Sequence, residues 1–462
     1  MTTTNFEGGK STIVSPINQL RRVTLACLLW EDTFYVSGEK STDIIDKLCA
    51  KLSCDDIAKV ALECSTKGQL RHIPLYLIIQ ALKRPREANK QSILSDVIAA
   101  VCKRPDQMTD LVALYWKDGK KMLPHQMRKG LKKAFDRFDE YQLSKYNRDN
   151  AVKLRDVAFL THIKAGKFIK RGKLYADLVN KTHYPQHTKS GYAVCALYQL
   201  EGKPGLQTPD TWEVRLSAGH DKKESFQELL EKGKMGKLAI IRNLRNMHEA
   251  GVSTDLIAKE LMKRDRPLLP FQFIAAAKAC PKFEAIVDLS MVQSMQELPK
   301  LKGLTLVLVD VSGSMKQSLS AKSQMTRQDA AAGLSMILAE VCEKYDIFSF
   351  SEQLVLVPPR KGMALRDAIF NSQRNSGTLL GSALTLIDTQ MRKRDVNNAP
   401  AIDRIIVITD EQSSDRIPVM DIPLCYIMNV GTYQNGIENK GQWTIITGFS
   451  ENTIDYIREL EQ

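Results

Sequence analysis

Asp310-Val311-Ser312-Gly313-Ser314 sets one carboxylate and two hydroxyls at alternate positions, directly after the apolar run Leu304-Thr305-Leu306-Val307-Leu308-Val309. These are hard oxygen donors of the type that Mg²⁺ or Mn²⁺ prefers. A Val/Leu run bounded by a glycine turn has the pattern of a strand buried on both faces. Ligand sites in open α/β sheets lie at the carboxyl ends of such strands. The chemistry read from these residues is therefore the capture of a divalent cation where a buried strand ends.

The loop resembles the metal-ion-dependent adhesion site of von Willebrand factor A domains. Two further stretches match that family in the expected order. Asn375-Ser376-Gly377-Thr378-Leu379-Leu380-Gly381-Ser382 corresponds to its Gly-Thr loop before a helix, and Ile405-Ile406-Val407-Ile408-Thr409-Asp410 to its strand ending in Thr-Asp. The resemblance implies that Ser312, Ser314 and Thr378 touch the metal, that Asp310 and Asp410 hold it directly or through water, and that one coordination position stays open for a ligand. Glu411-Gln412 depart from the pattern, since many A domains carry glycine after the aspartate. Asp, Ser, Gly and Thr also serve ordinary turns and helix caps. Three such loops in order, each beside a suitable strand or helix, favour the metal.

Metal-using nucleases and phosphatases gather several carboxylates around their ions. Two carboxylates with three hydroxyls suit coordination better than water activation. No histidine is near in sequence to act as a base, and no Gly-x-x-x-x-Gly-Lys-Ser/Thr phosphate loop occurs. The expectation is a binding protein and not an enzyme. Two alternatives are a metal-dependent adaptor that captures an acidic residue of a protein partner, and a metal-dependent hydrolase acting on RNA ends.

Most of the 462 residues serve to position these groups and to build a second surface. The length predicts more than one domain, divided at 1–285 and 286–462. The fold class is a HEAT-like α-helical solenoid followed by a doubly wound α/β domain. Helical periodicity is read at Ile17–Trp30, Thr42–Leu52, Asp55–Cys64, Ile73–Leu82, Ile93–Val101, Met108–Trp116, Gln126–Tyr146, Lys173–Val179, Ala193–Leu200, Leu238–Met247 and Leu256–Leu261. Proline breaks at Pro85 and Pro105 separate the early segments. No apolar run approaches the ~20 residues of a membrane span, and the first residues lack a signal-peptide pattern. A monomeric cytoplasmic protein is expected. Its nine cysteines have no Cys-x-x-Cys pair, which suits buried reduced thiols.

Charge follows the same division. The net charge is +13, and residues 1–300 hold 50 basic against 34 acidic side chains, whereas 301–462 hold 16 against 19. Residues 121–190 alone carry 17 basic and 6 acidic. A field of that sign attracts polyanions, nucleic acid first among them. Arg128, Lys129, Lys132 and Lys133 recur at helical spacing as a cationic stripe. Lys145, Arg148, Lys153, Arg155, His162, Lys164, Lys167, Lys170 and Arg171 continue it, with Tyr146, Phe168, Tyr175 and Tyr184 interleaved for base stacking.

Gln19-Leu20-Arg21-Arg22, Leu28 to Tyr35, Lys145-Tyr146-Asn147-Arg148, Lys153 to Val157 and Thr161-His162-Ile163-Lys164 resemble the TROVE module of the Ro autoantigen family. Ser320 to Arg327 and Thr409 to Ser413 are similar to the A domains of its bacterial members. The resemblance implies a ring of helices closed by the A domain. It also implies Y RNA on the outer surface, single-stranded 3′ ends of misfolded noncoding RNAs in the central hole, and a link to an exoribonuclease through RNA. It places Lys145, Arg148, Lys153, Arg155, His162 and Lys164 at the RNA surface.

Overall fold

The computed structural model describes residues 2–4, 10–12, 15–26, 38–66, 70–85, 92–138, 140–146, 150–162, 210–263, 268, 270–296, 298–319, 324–374, 376–396, 401–431, 436–437, 441–448 and parts of 454–461. Two compact units emerge, one from 45–210 and the other from 1–44 with 211–462.

The unit spanning 45–210 is helical. Its described helices are α3 (Cys54–Thr66), α4 (Ile73–Leu82), α5 (Leu94–Val101), α6 (Pro105–Tyr115), α7 (His125–Phe135), α8 (Glu140–Tyr146) and α9 (Leu154–Leu160), after α2 (Gly38–Cys49), within which the division falls. Each helix packs on the one two places further along, α3 on α5, α4 on α6, α5 on α7, α6 on α8 and α7 on α9. Two parallel rows of helices result, the arrangement of an α-solenoid. Short amphipathic helices cannot bury their apolar faces alone, so Ile57, Val60, Leu77, Ile78, Ile98 and Leu131 share one interior. Burial also pushes the Cys102 thiol up to about 12, which keeps it protonated and inert.

The sequence reading of one helix over Gln126–Tyr146 is corrected. The chain breaks after Phe135, because Arg137 turns to donate from Nη2 to the Cys102 carbonyl at 3.1 Å, while Phe138 enters the core. That carbonyl ends α5 and would otherwise lack an intrahelical donor. The segments expected at Lys173–Val179 and Ala193–Leu200 lie outside the described residues.

In the other unit, strands β1 (Thr2–Thr4) and β2 (Lys10–Thr12) form a small antiparallel hairpin before α1 (Pro16–Ala26). After residue 210 come α10 (Trp212–Ser217), α11 (Lys222–Glu231), α12 (Lys237–Glu249), α13 (Thr254–Leu261), α14 (Pro270–Ala279) and α15 (Glu284–Met295). A six-stranded sheet follows: β3 (Leu301–Asp310), β4 (Cys342–Phe350), β5 (Leu354–Leu356), β6 (Arg404–Thr409), β7 (Leu424–Asn429) and β8 (Trp443–Thr447), interleaved with α16 (Arg327–Val341), α17 (Gly362–Phe370) and α18 (Leu380–Val396). Its order is β5-β4-β3-β6-β7-β8, parallel except for β5. Alternation decides which side chain faces where. Val307 and Val309 join the core with α14 and α16, and Leu306 and Leu308 join the core with α18.

The helical stack runs straight into the sheet. α12 packs on α14 and α14 on α16, where Gly333 lets the Phe271 ring approach the α16 backbone. The 285/286 division read from the sequence therefore falls inside one compact unit. At the opposite edge α1 lies against β8, burying Leu20 and Val23 and covering backbone that an edge strand would expose.

Candidate metal centre and nucleic-acid interface

β3 and β6 run side by side with Val309 opposite Ile408, so Asp310 and Asp410 both arrive at the carboxyl edge of the sheet. Both are fully buried. Asp310 accepts from the Thr409 hydroxyl at 2.6 Å and from the Ser312 backbone N–H at 2.8 Å. Those bonds favour its ionised form, yet burial first, and the Asp410 charge second, push its carboxyl up to about 7. The Oγ atoms of Ser312 and Ser314 stand 3.2 Å apart. Adjacent oxygens on an octahedral Mg²⁺ at ~2.1 Å lie about 3 Å from each other, so the pair fits one small cation.

The Gly-Thr loop is tied to both neighbours. Gly313 N–H donates to the Ser376 carbonyl at 3.2 Å, and the Ser413 hydroxyl donates to the Thr378 carbonyl at the same distance. Asp415 then accepts from Gly381 N–H at 2.8 Å and Ser382 N–H at 2.7 Å, capping α18. Asp310, Ser312, Ser314, Thr378 and Asp410, expected to act together, thus sit on three loops held by a common hydrogen-bond set.

Two arginines enter that were not among the sequence-derived site residues. Arg327, the first residue of α16, is 1 % exposed and places Nη1 3.2 Å from Asp410 Oδ2 and 3.4 Å from the Ser314 carbonyl. Glu411, the departure from the A-domain pattern, is buried with φ 60°, the region where glycine is favoured. Its carboxylate accepts from Asn429 Nδ2 at 2.7 Å and lies 3.2 Å from Arg22 Nη1 of α1. A side chain thus stands at a left-handed backbone position, and its ion pair anchors the N-terminal helix.

The basic residues occupy the helical unit. α7 buries Met127, Gly130, Leu131, Ala134 and Phe135, leaving Lys129 exposed and Arg128, Lys132 and Lys133 half-buried at the surface. Lys133 is partly committed, with Nζ 2.5 Å from Asp96. Lys145 lies on α8, Lys153 caps α9, Arg155 lies on α9, and the exposed His162 follows it with φ 51°. α9 packs on α7, and α8 packs on α6. Tyr146 is less available for stacking than the sequence suggested, because the Arg104 guanidinium lies 4.8 Å over its ring. Arg148, Lys164, Lys167, Lys170, Arg171, Phe168, Tyr175 and Tyr184 lie outside the described residues.

The turn before α7 adds cations that the stripe did not include. Lys121 Nζ stands 4.6 Å over Tyr115 and Lys120 Nζ 5.7 Å over Trp116, while the Trp116 indole donates to the Lys121 carbonyl at 2.7 Å. The signal was visible as Tyr115-Trp116-Lys117 followed by Lys120-Lys121.

The TROVE domain family matches residues 201–342 and the Ro60 vWA domain family matches 305–417. The first match begins after the motifs between residues 19 and 164 that resemble the TROVE module. Telomerase protein component 1 of Mus musculus is 24% identical over 348 residues, covering 55% of this chain and 13% of that protein; its Rattus norvegicus counterpart is 23% identical over the same length and coverage. The chain therefore spans only about an eighth of these curated relatives. The crystal structure of the Deinococcus radiodurans RO (RSR) protein shares the fold, with TM-score 0.59 over 97% of this chain and 100% of that one at 15% identity. A helical region leading into an α/β sheet, the TROVE and Ro60 vWA matches in that order and the fold shared with the Deinococcus protein together make this chain similar to proteins of the Ro family.

Proposed function

We propose that this protein is a non-catalytic RNA-binding scaffold that takes small Y RNAs on its basic helical surface and single-stranded 3′ ends of misfolded noncoding RNAs in a central hole. Its role is noncoding RNA quality control or processing in the cytoplasm, with an exoribonuclease engaged through the bound RNA. The carrying observation is α7, whose apolar side is buried while Lys129 stays exposed and Arg128, Lys132 and Lys133 remain half-buried at the surface. Cations fixed on a rigid helix meet a phosphate backbone without reading bases, so selection rests on RNA shape and on a free end. In the A domain, Asp310, Ser312, Ser314, Thr378 and Asp410 would hold Mg²⁺ or Mn²⁺, and the ion would present an open position to an oxygen ligand. Asp410 already faces a guanidinium, which suits charge balance more than activation of water.

The test is a salt titration of binding to two RNAs that share a duplex, one with a single-stranded 3′ tail and one blunt, with RNA length checked afterwards. Tail-dependent binding of intact RNA supports the scaffold. Equal weak binding to both favours a metal-dependent protein adaptor, and shortened RNA favours a hydrolase.

A further inference from the structure

A full positive charge inside a cation site calls for explanation. Arg327 heads the wholly buried side chains by volume, at 1 % exposure beside a fully buried Asp410. Helix formation does not require it there. It occupies the first position of α16, where the helix dipole disfavours a cation, and the capping of that helix is done by Thr326 and Asp329, with Lys278 on Asp329. Its side chain instead reaches back over the Asp-x-Ser-x-Ser loop, close enough to the Ser314 carbonyl to share that loop's edge, and ends on the carboxylate that the metal would use.

We propose that Arg327 is a tethered counter-cation of the metal site, which holds Asp410 when no divalent ion is present and must give it up when one enters. The proposal rests on the metal reading above. With both carboxylates ionised, the guanidinium offsets one of their two negative charges, whereas a site without the arginine would set both against a divalent ion. Like charges in a low-dielectric interior repel strongly, so ion and guanidinium do not share Asp410 at close range. An arginine does not shed its proton, so only movement of the side chain relieves the conflict. Arg327 thereby sets the concentration at which the site fills, and below that concentration it ties the Asp-x-Ser-x-Ser loop to Asp410.

The experiment is a Mn²⁺ titration of the full chain, followed by electron paramagnetic resonance of the free ion, for the unaltered protein, Arg327→Met and Arg327→Lys. Thermal midpoints are measured with and without Mn²⁺. Arg327→Met is expected to bind Mn²⁺ at least tenfold more tightly and to gain more thermal stability from it than the unaltered protein. Arg327→Lys keeps the charge but loses the planar fork, and is expected to bind a few-fold more tightly. Equal affinity in all three folded proteins overturns the counter-cation and leaves the metal site standing. Absence of binding in all three overturns both. Should Arg327→Met fail to fold, Arg327→Lys decides, tighter binding supporting the proposal and equal binding refuting it.

Discussion

Replacing Glu411 by glycine sets two effects of opposite sign against each other. Glu411 sits at φ 60°, and a left-handed backbone costs a residue with a Cβ about 1–2 kcal/mol, which glycine would recover. The same substitution strips Arg22 of its carboxylate, with the two side chains 6 % and 0 % exposed. Removing one partner of a buried ion pair costs about 3–5 kcal/mol, because the remaining charge stays desolvated. The expected balance is destabilisation by roughly 1–4 kcal/mol, centred near 2.5. At about 2 °C per kcal/mol for a unit of this size, the thermal midpoint should fall by around 5 °C. Differential scanning calorimetry of the full chain measures it, and limited proteolysis near α1 reports whether that helix has come loose. The double variant Arg22→Met, Glu411→Gly should recover most of the loss, since it leaves no unpaired charge. A single Glu411→Gly variant as stable as the unaltered protein would refute the anchoring role.

Charge reversal at Arg128, Lys129, Lys132 and Lys133 together should weaken RNA binding and flatten its salt dependence, by about 0.9 in the log–log slope for each duplex phosphate that the protein no longer neutralises. Lys133 alone should contribute least, because Asp96 already holds it; fluorescence anisotropy across salt concentrations checks both points, and an unchanged slope removes the stripe from the footprint. Asp310→Ala should abolish any stabilisation by Mg²⁺ while sparing most RNA affinity, as read by thermal shift and the same anisotropy assay. Loss of RNA affinity in the folded variant would merge the two sites. Finally, burial lowers the pKa of His72 below its ordinary value, with Arg71 acting in the same direction. Its folded pKa then lies below the unfolded one near 6.5, so its contribution is present above that value and is lost as pH falls through it. Denaturation midpoints of His72→Gln should show a weaker decline between about pH 7 and pH 5 than the parent, and an identical decline would exclude His72 as its source.

The metal loops were legible in the chain because their donors lie within short windows beside a strand whose apolar run needs no partner to be recognised. Alternation of Leu306 and Leu308 against Val307 and Val309, and the step from Val309 to Asp310, are local facts. Helix existence was equally local, as at Ile73–Leu82, where periodicity and the observed bounds coincide. The break after Phe135 was not, since it depends on Arg137 meeting a carbonyl some 35 residues away in sequence.

Residue types and their spacing determined a helical region, a buried parallel strand with hard oxygen donors at its end, and a concentration of positive charge at 121–190. Only tertiary structure decided that α12, α14 and α16 form one row into the sheet, that Arg327 turns onto Asp410, and that Arg22 meets Glu411 from the far end of the chain. The physical reason is the range of each effect. Periodicity and donor spacing act over a few residues, whereas the neutralisation of a buried charge is set by whichever opposite charge the folded chain brings within about 4 Å.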